Sequence, residues 1–202
     1  MIGPMAELSA FVLGGGRSSR MGRDKAFLEL NGRTLLQHAL DLARCVTANI
    51  FIVGPSSKFG SFGPVLEDVL PGRGPLAGIH AALKATTSEI NLILALDTPF
   101  VSAAFIQYLA AEARTTNAAV TYPLISGQSQ PLCAVYRRSF LPVAEESLQQ
   151  GHNKIDPLFA LVPCRVIDDS ELMRLGFDAG MFDNLNTPKD WEAARLRGSA
   201  NS

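Results

Sequence analysis

Between Gly14 and Lys25 the sequence sets three consecutive glycines, followed by Arg17, Arg20, Arg23 and Lys25, against one acid, Asp24. Glycines let backbone N–H groups approach an anion closely, and basic side chains neutralise it. Lysine supplies a compact point charge, arginine a bidentate fork. Such a loop suits a polyphosphate. The other reading is a strand-to-helix loop with solvated arginines. Neither common phosphate-loop pattern applies. No GxxxxGK[ST] occurs, and Ser19 stands where the third glycine of a dinucleotide fingerprint belongs.

Asp97, in ALDTPF, ends a run of aliphatic residues. Its carboxylate suits Mg²⁺, which takes one or two protein oxygens plus substrate phosphates. It could equally cap the turn before Pro99. Asp68, in LEDVLPGRGP, could bind metal or ribose hydroxyls, or serve only the turn. Asn184 and Asn186, in FDNLNTP, read on spacing alone as shapers of the turn before Pro188. His38, His80 and His152 share no metal-ligand spacing and read as structural or surface groups. No GxSxG and no Cys–His pairing indicates a covalent nucleophile.

The elements that must position these residues follow from the apolar pattern. Strands are expected at 8–13, 49–54, 64–68, 90–97, 118–123, 131–136 and 164–168, the fifth and sixth flanking a polar loop, LISGQSQ. Helices are expected from a Thr34 cap to Cys45, over 76–85 with Gly78 inside, from a Ser102 cap to about Arg114, and over 139–150, 153–161 and the residues after Pro188. Aliphatic strands alternating with helices imply an α/β fold, a mostly parallel sheet with helices on both faces. Ligands of such sheets bind beyond the carboxyl ends of the strands, where Gly14–Lys25, Asp68 and Asp97 all fall. With no repeat and no linker, residues 1–202 read as one domain.

Composition narrows the function. Hydrophobic residues make up 47%, charged residues 18%, and net charge is −1. No global field directs the chain to nucleic acid or membrane, so an anion site must be local. No run reaches the roughly 18 apolar residues of a membrane helix, and the N-terminus lacks a basic n-region, so no signal peptide is expected. Cys45, Cys133 and Cys164 form no CxxC pair. They read as reduced, mostly buried thiols of a cytoplasmic protein rather than a disulfide or zinc framework.

Taken together, LGGGRSSRMGRDKAFLELNGRTLLQH resembles the N-terminal signature of the molybdenum cofactor guanylyltransferases, MobA-like nucleotidyltransferases that commonly show LAGGxSxRMGxDKxLLxLxGxxLxxH. LED before GRGPLAGI, LALDTPFV, QPLCAVYRRSFLP and FDNLNTPKDW follow in order. The resemblance spans roughly Phe11 to Trp191. It implies a Rossmann-like fold of the nucleotide-diphospho-sugar transferase type. It also implies transfer of GMP from GTP to the terminal phosphate of Mo-molybdopterin, with release of pyrophosphate. On that resemblance the Leu13–Gly14–Gly15 backbone holds the nucleotide, Lys25 contacts phosphates, and Arg17 and Arg20 assist. Asp68 binds GTP near base or ribose, and Asp97 carries Mg²⁺. The C-terminal part, with Asn184 and Asn186, forms the molybdopterin site. Other cofactor-assembly proteins or the recipient molybdoenzyme are the macromolecular partners it allows.

Three positions depart from the pattern. Gly14 replaces the usual alanine, a change expected to cost little where backbone contacts bind. Gly54 stands where some relatives have an asparagine near the base. His152-Asn153-Lys154 stands where many have arginines. Two other activities compete: a cytidylyltransferase acting on a phosphorylated acceptor, and a non-catalytic nucleotide-binding adaptor in cofactor assembly. The continuation DKAFLELNG favours guanylyl transfer.

Overall fold

Strand β1 (Leu8–Leu13) is buried along its whole length, as only a strand covered on both faces can be. Ala10 and Val12 enter one apolar layer, Phe11 and Leu13 the other. The computed structural model describes residues 7–15, 24–67, 72–185, 187, 190–192 and 194. After β1 come β2 (Glu29–Leu30), β3 (Arg33–Thr34), α1 (Leu35–Arg44), β4 (Ile50–Val53), α2 (Ser56–Phe59), β5 (Val65–Leu66), α3 (Pro75–Ala85) and β6 (Ile90–Ala95). The second half holds α4 (Ala103–Thr115), β7 (Val120–Ile125), β8 (Gln128–Ser129), β9 (Cys133–Arg137), α5 (Leu141–Gln149), β10 (Cys164–Asp168) and α6 (Asp169–Arg174). Short 3-10 turns lie at Lys25–Phe27, Arg138–Phe140, Asp156–Leu161 and Ala179–Phe182.

The main sheet runs β10-β7-β9-β6-β1-β4-β5, with β8 paired to β7. Strands β4, β5 and β6 are joined to β1 through parallel pairings, and β10 is parallel to β7. Only β9 runs against both its neighbours. Among the described residues the sheet is thus mostly parallel, as expected, with two reversed strands, β9 and the short β8, that the sequence pattern did not announce. Helices α1 and α4 cover one face, α3 and α5 the other. Gly78 lets α3 pack closely on β1: a Cβ there would sit 3.2 Å from Leu13 Cδ2.

Several boundaries differ from expectation for local reasons. The strand expected over 90–97 leaves the ladder after Ala95, so Asp97 lies just beyond it. The strand expected over 64–68 pairs only at Val65 and Leu66, and Asp68 lies outside the described residues. The polar loop LISGQSQ is a hairpin: β7 continues through Ile125, and Ser126 and Gly127 turn it with positive φ. Asn31-Gly32 turns the β2–β3 hairpin in the same way. Over 153–161 only Asp156–Leu161 is helical, as a 3-10 turn. Helices α2 and α6 were not expected.

Helix α1 starts as its sequence dictates. Gln37 N–H donates to Thr34 Oγ1 at 3.2 Å, and Thr34 N–H donates to Gln37 Oε1 at 2.8 Å, a reciprocal capping box. Thr34→Ala removes a side-chain cap and should lower stability by about 1 kcal/mol in urea denaturation, leaving turnover unchanged.

Candidate functional site

The order β5-β4-β1-β6 turns back at β1: the chain adds strands on one side, then crosses to the other. A crevice opens beyond the strand ends at such a switch point. Leu13 is paired with Val53 on one side and Ala95 on the other, so three strand ends are level. Gly14 follows one of them, Gly54 another, and Asp97 comes two residues after the third. The Gly14 N–H donates to Val53 O at 3.0 Å. That donor belongs to the sheet, so of the three residues expected to hold nucleotide, Gly15 is the one beyond this last bond.

Lys25 opens the 3-10 turn that leads into the β2–β3 hairpin. Asp24 caps this turn, accepting from the Ala26 N–H at 3.2 Å. Burial holds the Lys25 ammonium below its ordinary 10.5, and the charges of Asp97 and then Asp190 pull it back up. The structure therefore brings Lys25 and Asp97 together, as the sequence implied, and adds Asp190, which sequence reasoning missed. A signal was present: in NTPKDW, Thr187 N–H donates to Asp190 Oδ2 at 2.7 Å and Asp190 N–H donates to Thr187 Oγ1 at 3.2 Å. Spacing T-x-x-D is that of a capping box.

Asp97 is anchored by its backbone. Leu185 N–H donates to Asp97 O at 2.9 Å, which brings residues 182–185, with exposed Asn184, to this strand end. Arg17, Arg20, Asp68 and Asn186 lie outside the described residues.

Other candidates separate from the site. Burial, with Asp97 nearby, pushes the Cys133 thiol up to about 12, so it stays protonated and is no nucleophile. Cys45 is exposed, contrary to a mostly buried set. His38 bonds the Leu30 carbonyl at 2.9 Å, and buried His80 faces Glu145 at 3.6 Å, both structural placements. Trp191 packs on the core as expected. A recess lined by Arg33, Asp41, Arg44 and Phe62 shares no residue with the strand-end groups.

The donor set bears on metal binding. Among the described residues no three His, Cys, Asp or Glu gather into a metal cage. A half-buried strand-end carboxylate still fits Mg²⁺, which uses one or two carboxylates and completes its shell with phosphate oxygens and water. Among the described residues no helix is long and apolar enough to cross a membrane.

A glycine turn, a half-buried lysine and a strand-end carboxylate at the switch point define an α/β transferase that handles a polyphosphate. The chain belongs to the MobA-like NTP transferase family, whose model matches residues 10–161. Along nearly its full length it is similar to molybdenum cofactor guanylyltransferases. One from Desulfosudis oleivorans is 33% identical over 94% of this chain and 95% of its own. A relative from Carboxydothermus hydrogenoformans, described as "Probable molybdenum cofactor guanylyltransferase", is 33% identical over 93% of this chain and 95% of its own. Among solved structures, molybdopterin-guanine dinucleotide biosynthesis protein A from Archaeoglobus fulgidus superimposes with a TM-score of 0.83 at 26% identity, covering 95% of this chain and 99% of that one. The fold is of the nucleotide-diphospho-sugar transferase type.

The lowered Lys25 pKa has a consequence for the free protein. An unfolded chain holds that proton more tightly than folded Lys25 does, so stability rises with pH from the lowered folded value to 10.5. Below that window the charged lysine costs stability. Lys25→Met should therefore stabilise the free protein at neutral pH, and the gain should shrink as pH approaches 10.5, measured by urea denaturation.

Proposed function

We propose that this protein transfers GMP from GTP to the terminal phosphate of Mo-molybdopterin, giving the guanine dinucleotide cofactor and pyrophosphate. The meeting of Lys25 with Asp97 at the switch point carries the reading. The full-length similarity to guanylyltransferases supports the choice of substrates.

An oxygen of the acceptor phosphate attacks the α-phosphorus in line. The bond from that phosphorus to the bridging oxygen breaks, and pyrophosphate leaves with the electron pair. Both reactants are polyanions, so their repulsion must be offset. Lys25, desolvated and cationic, stabilises the charge that develops on the leaving phosphates. Gly15 lets the backbone approach closely, and Arg17 and Arg20 supply further charge. Asp97 would hold Mg²⁺, which when bound neutralises the phosphates and aligns them. Asp68 binds GTP near ribose or base. The C-terminal part receives the acceptor, with Asn184 brought to Asp97 through Leu185 and Asn186 assigned by the resemblance alone. No covalent intermediate is required, in keeping with a protonated Cys133. The setting is the cytoplasm, where GTP and the acceptor are made available.

Pyrophosphate release from GTP, with Mg²⁺ and dependent on Mo-molybdopterin, is the expected result. Preference for CTP would replace the base assignment, and binding without release would favour an adaptor. Lys25→Ala should cut turnover about 10²-fold or more, the scale of losing one charge-stabilising donor. Asp97→Ala should abolish Mg²⁺-dependent transfer in a folded protein. Retention of activity in either variant, with folding checked by circular dichroism, removes that residue from the mechanism.

A further inference from the structure

Phe59 is fully buried on the short helix α2, on the same side of the sheet as α1. Positions 14 and 54 continue the alternation of β1 and β4, and both would aim a Cβ at its ring. A Cβ at Gly14 would lie 2.7 Å from Phe59 Cε2 and Cζ, and one at Gly54 would lie 2.8 Å from Cε2. Carbon atoms pack best at about 3.5–4.0 Å, so neither methyl fits. Other side chains lie against the ring. Phe27 lies 6.2 Å away between centroids, Phe27 in turn meets Phe62 at 5.7 Å, and the Lys58 ammonium sits 4.5 Å from the Phe59 centroid.

Helix α2 is tied to the catalytic turn as well. Lys58 Nζ lies 2.5 Å from Asp24 Oδ2, while the other Asp24 oxygen caps the turn that begins with Lys25. Ser56 N–H donates to Glu67 Oε1 at 3.2 Å and fixes the start of the helix. One end of a four-residue helix therefore carries the glycine strand ends, and the same end holds Asp24. Gly14 is accordingly not a free replacement for the alanine of the related pattern: the volume of that methyl is filled by a ring from β4's following loop.

We infer that Phe59 is a positioning residue for nucleotide transfer, its ring setting the Gly14–Gly15 backbone and, through Lys58 and Asp24, the Lys25 turn, so that Gly14 and Phe59 form a matched pair. The inference rests on the nucleotide-transfer reading. Four proteins test it: wild type, Gly14→Ala, Phe59→Leu and the double variant. Each is assayed for kcat and KM with GTP by pyrophosphate release, at a temperature where urea curves show it folded. Each single change should lower kcat/KM about tenfold or more, the scale of small misplacements of reacting groups. The double variant should lose no more than the worse single one, because the new methyl occupies space the ring has vacated. Lys58→Met leaves the core intact and should lower kcat/KM severalfold through Asp24 alone. Single variants that lose stability but keep wild-type kcat and KM, effects that simply add, or an unchanged Lys58→Met overturn the inference. Wild-type protein that turns over no nucleotide overturns the nucleotide-transfer reading itself, and the inference with it.

Discussion

The parallel register that sets Leu13 between Val53 and Ala95 is the constraint on which the site depends. It levels three strand ends, so the residues that follow them emerge at one height around a single crevice. A slip of one residue in β1 would exchange its two faces, sending Phe11 and Leu13 into the layer now filled by Ala10 and Val12. It would also move the glycines off Phe59. The register is held from both sides by aliphatic packing, and that rigidity is what lets a loop present backbone to a ligand without collapsing on it.

The site accepts a local cost for its charge. Lys25 is desolvated, and its partners Asp97 and Asp190 only partly restore what water would have supplied. Burial favours the uncharged amine, and phosphate oxygens beside it would favour the ammonium. The same carboxylates keep the lysine from depending wholly on ligand, which limits the destabilisation to a modest one. Their two sources, the end of β6 and the C-terminal segment, bring both halves of the chain to one cation.

Much of this was legible in the chain. The strands at 8–13 and 164–168 and the helix caps at Thr34 and Ser102 were readable because apolar period and cap chemistry agree there. The approach of Lys25 to Asp97 was legible through the resemblance and through both falling at strand ends. The reversed direction of β9 was not, because a buried strand has the same aliphatic pattern in either direction. The hairpins at Asn31-Gly32 and Ser126-Gly127 carried turn signals, yet their strands are two residues long or continue a longer one, too short for alternation to register. Asp190 was hidden by distance in sequence from Lys25. Phe59 was hidden more thoroughly: its meaning lies in two glycines remote in sequence, and no local pattern joins them.

The reversed strand β9 has a consequence for shape. It lies between β6 and β7, which otherwise point the same way. Two interstrand steps of roughly 4.8 Å therefore part their carboxyl ends by about 9.5 Å. The strand acts as a ruler across the rim of the sheet, setting the strand ends around β1 apart from those of β7 and β10.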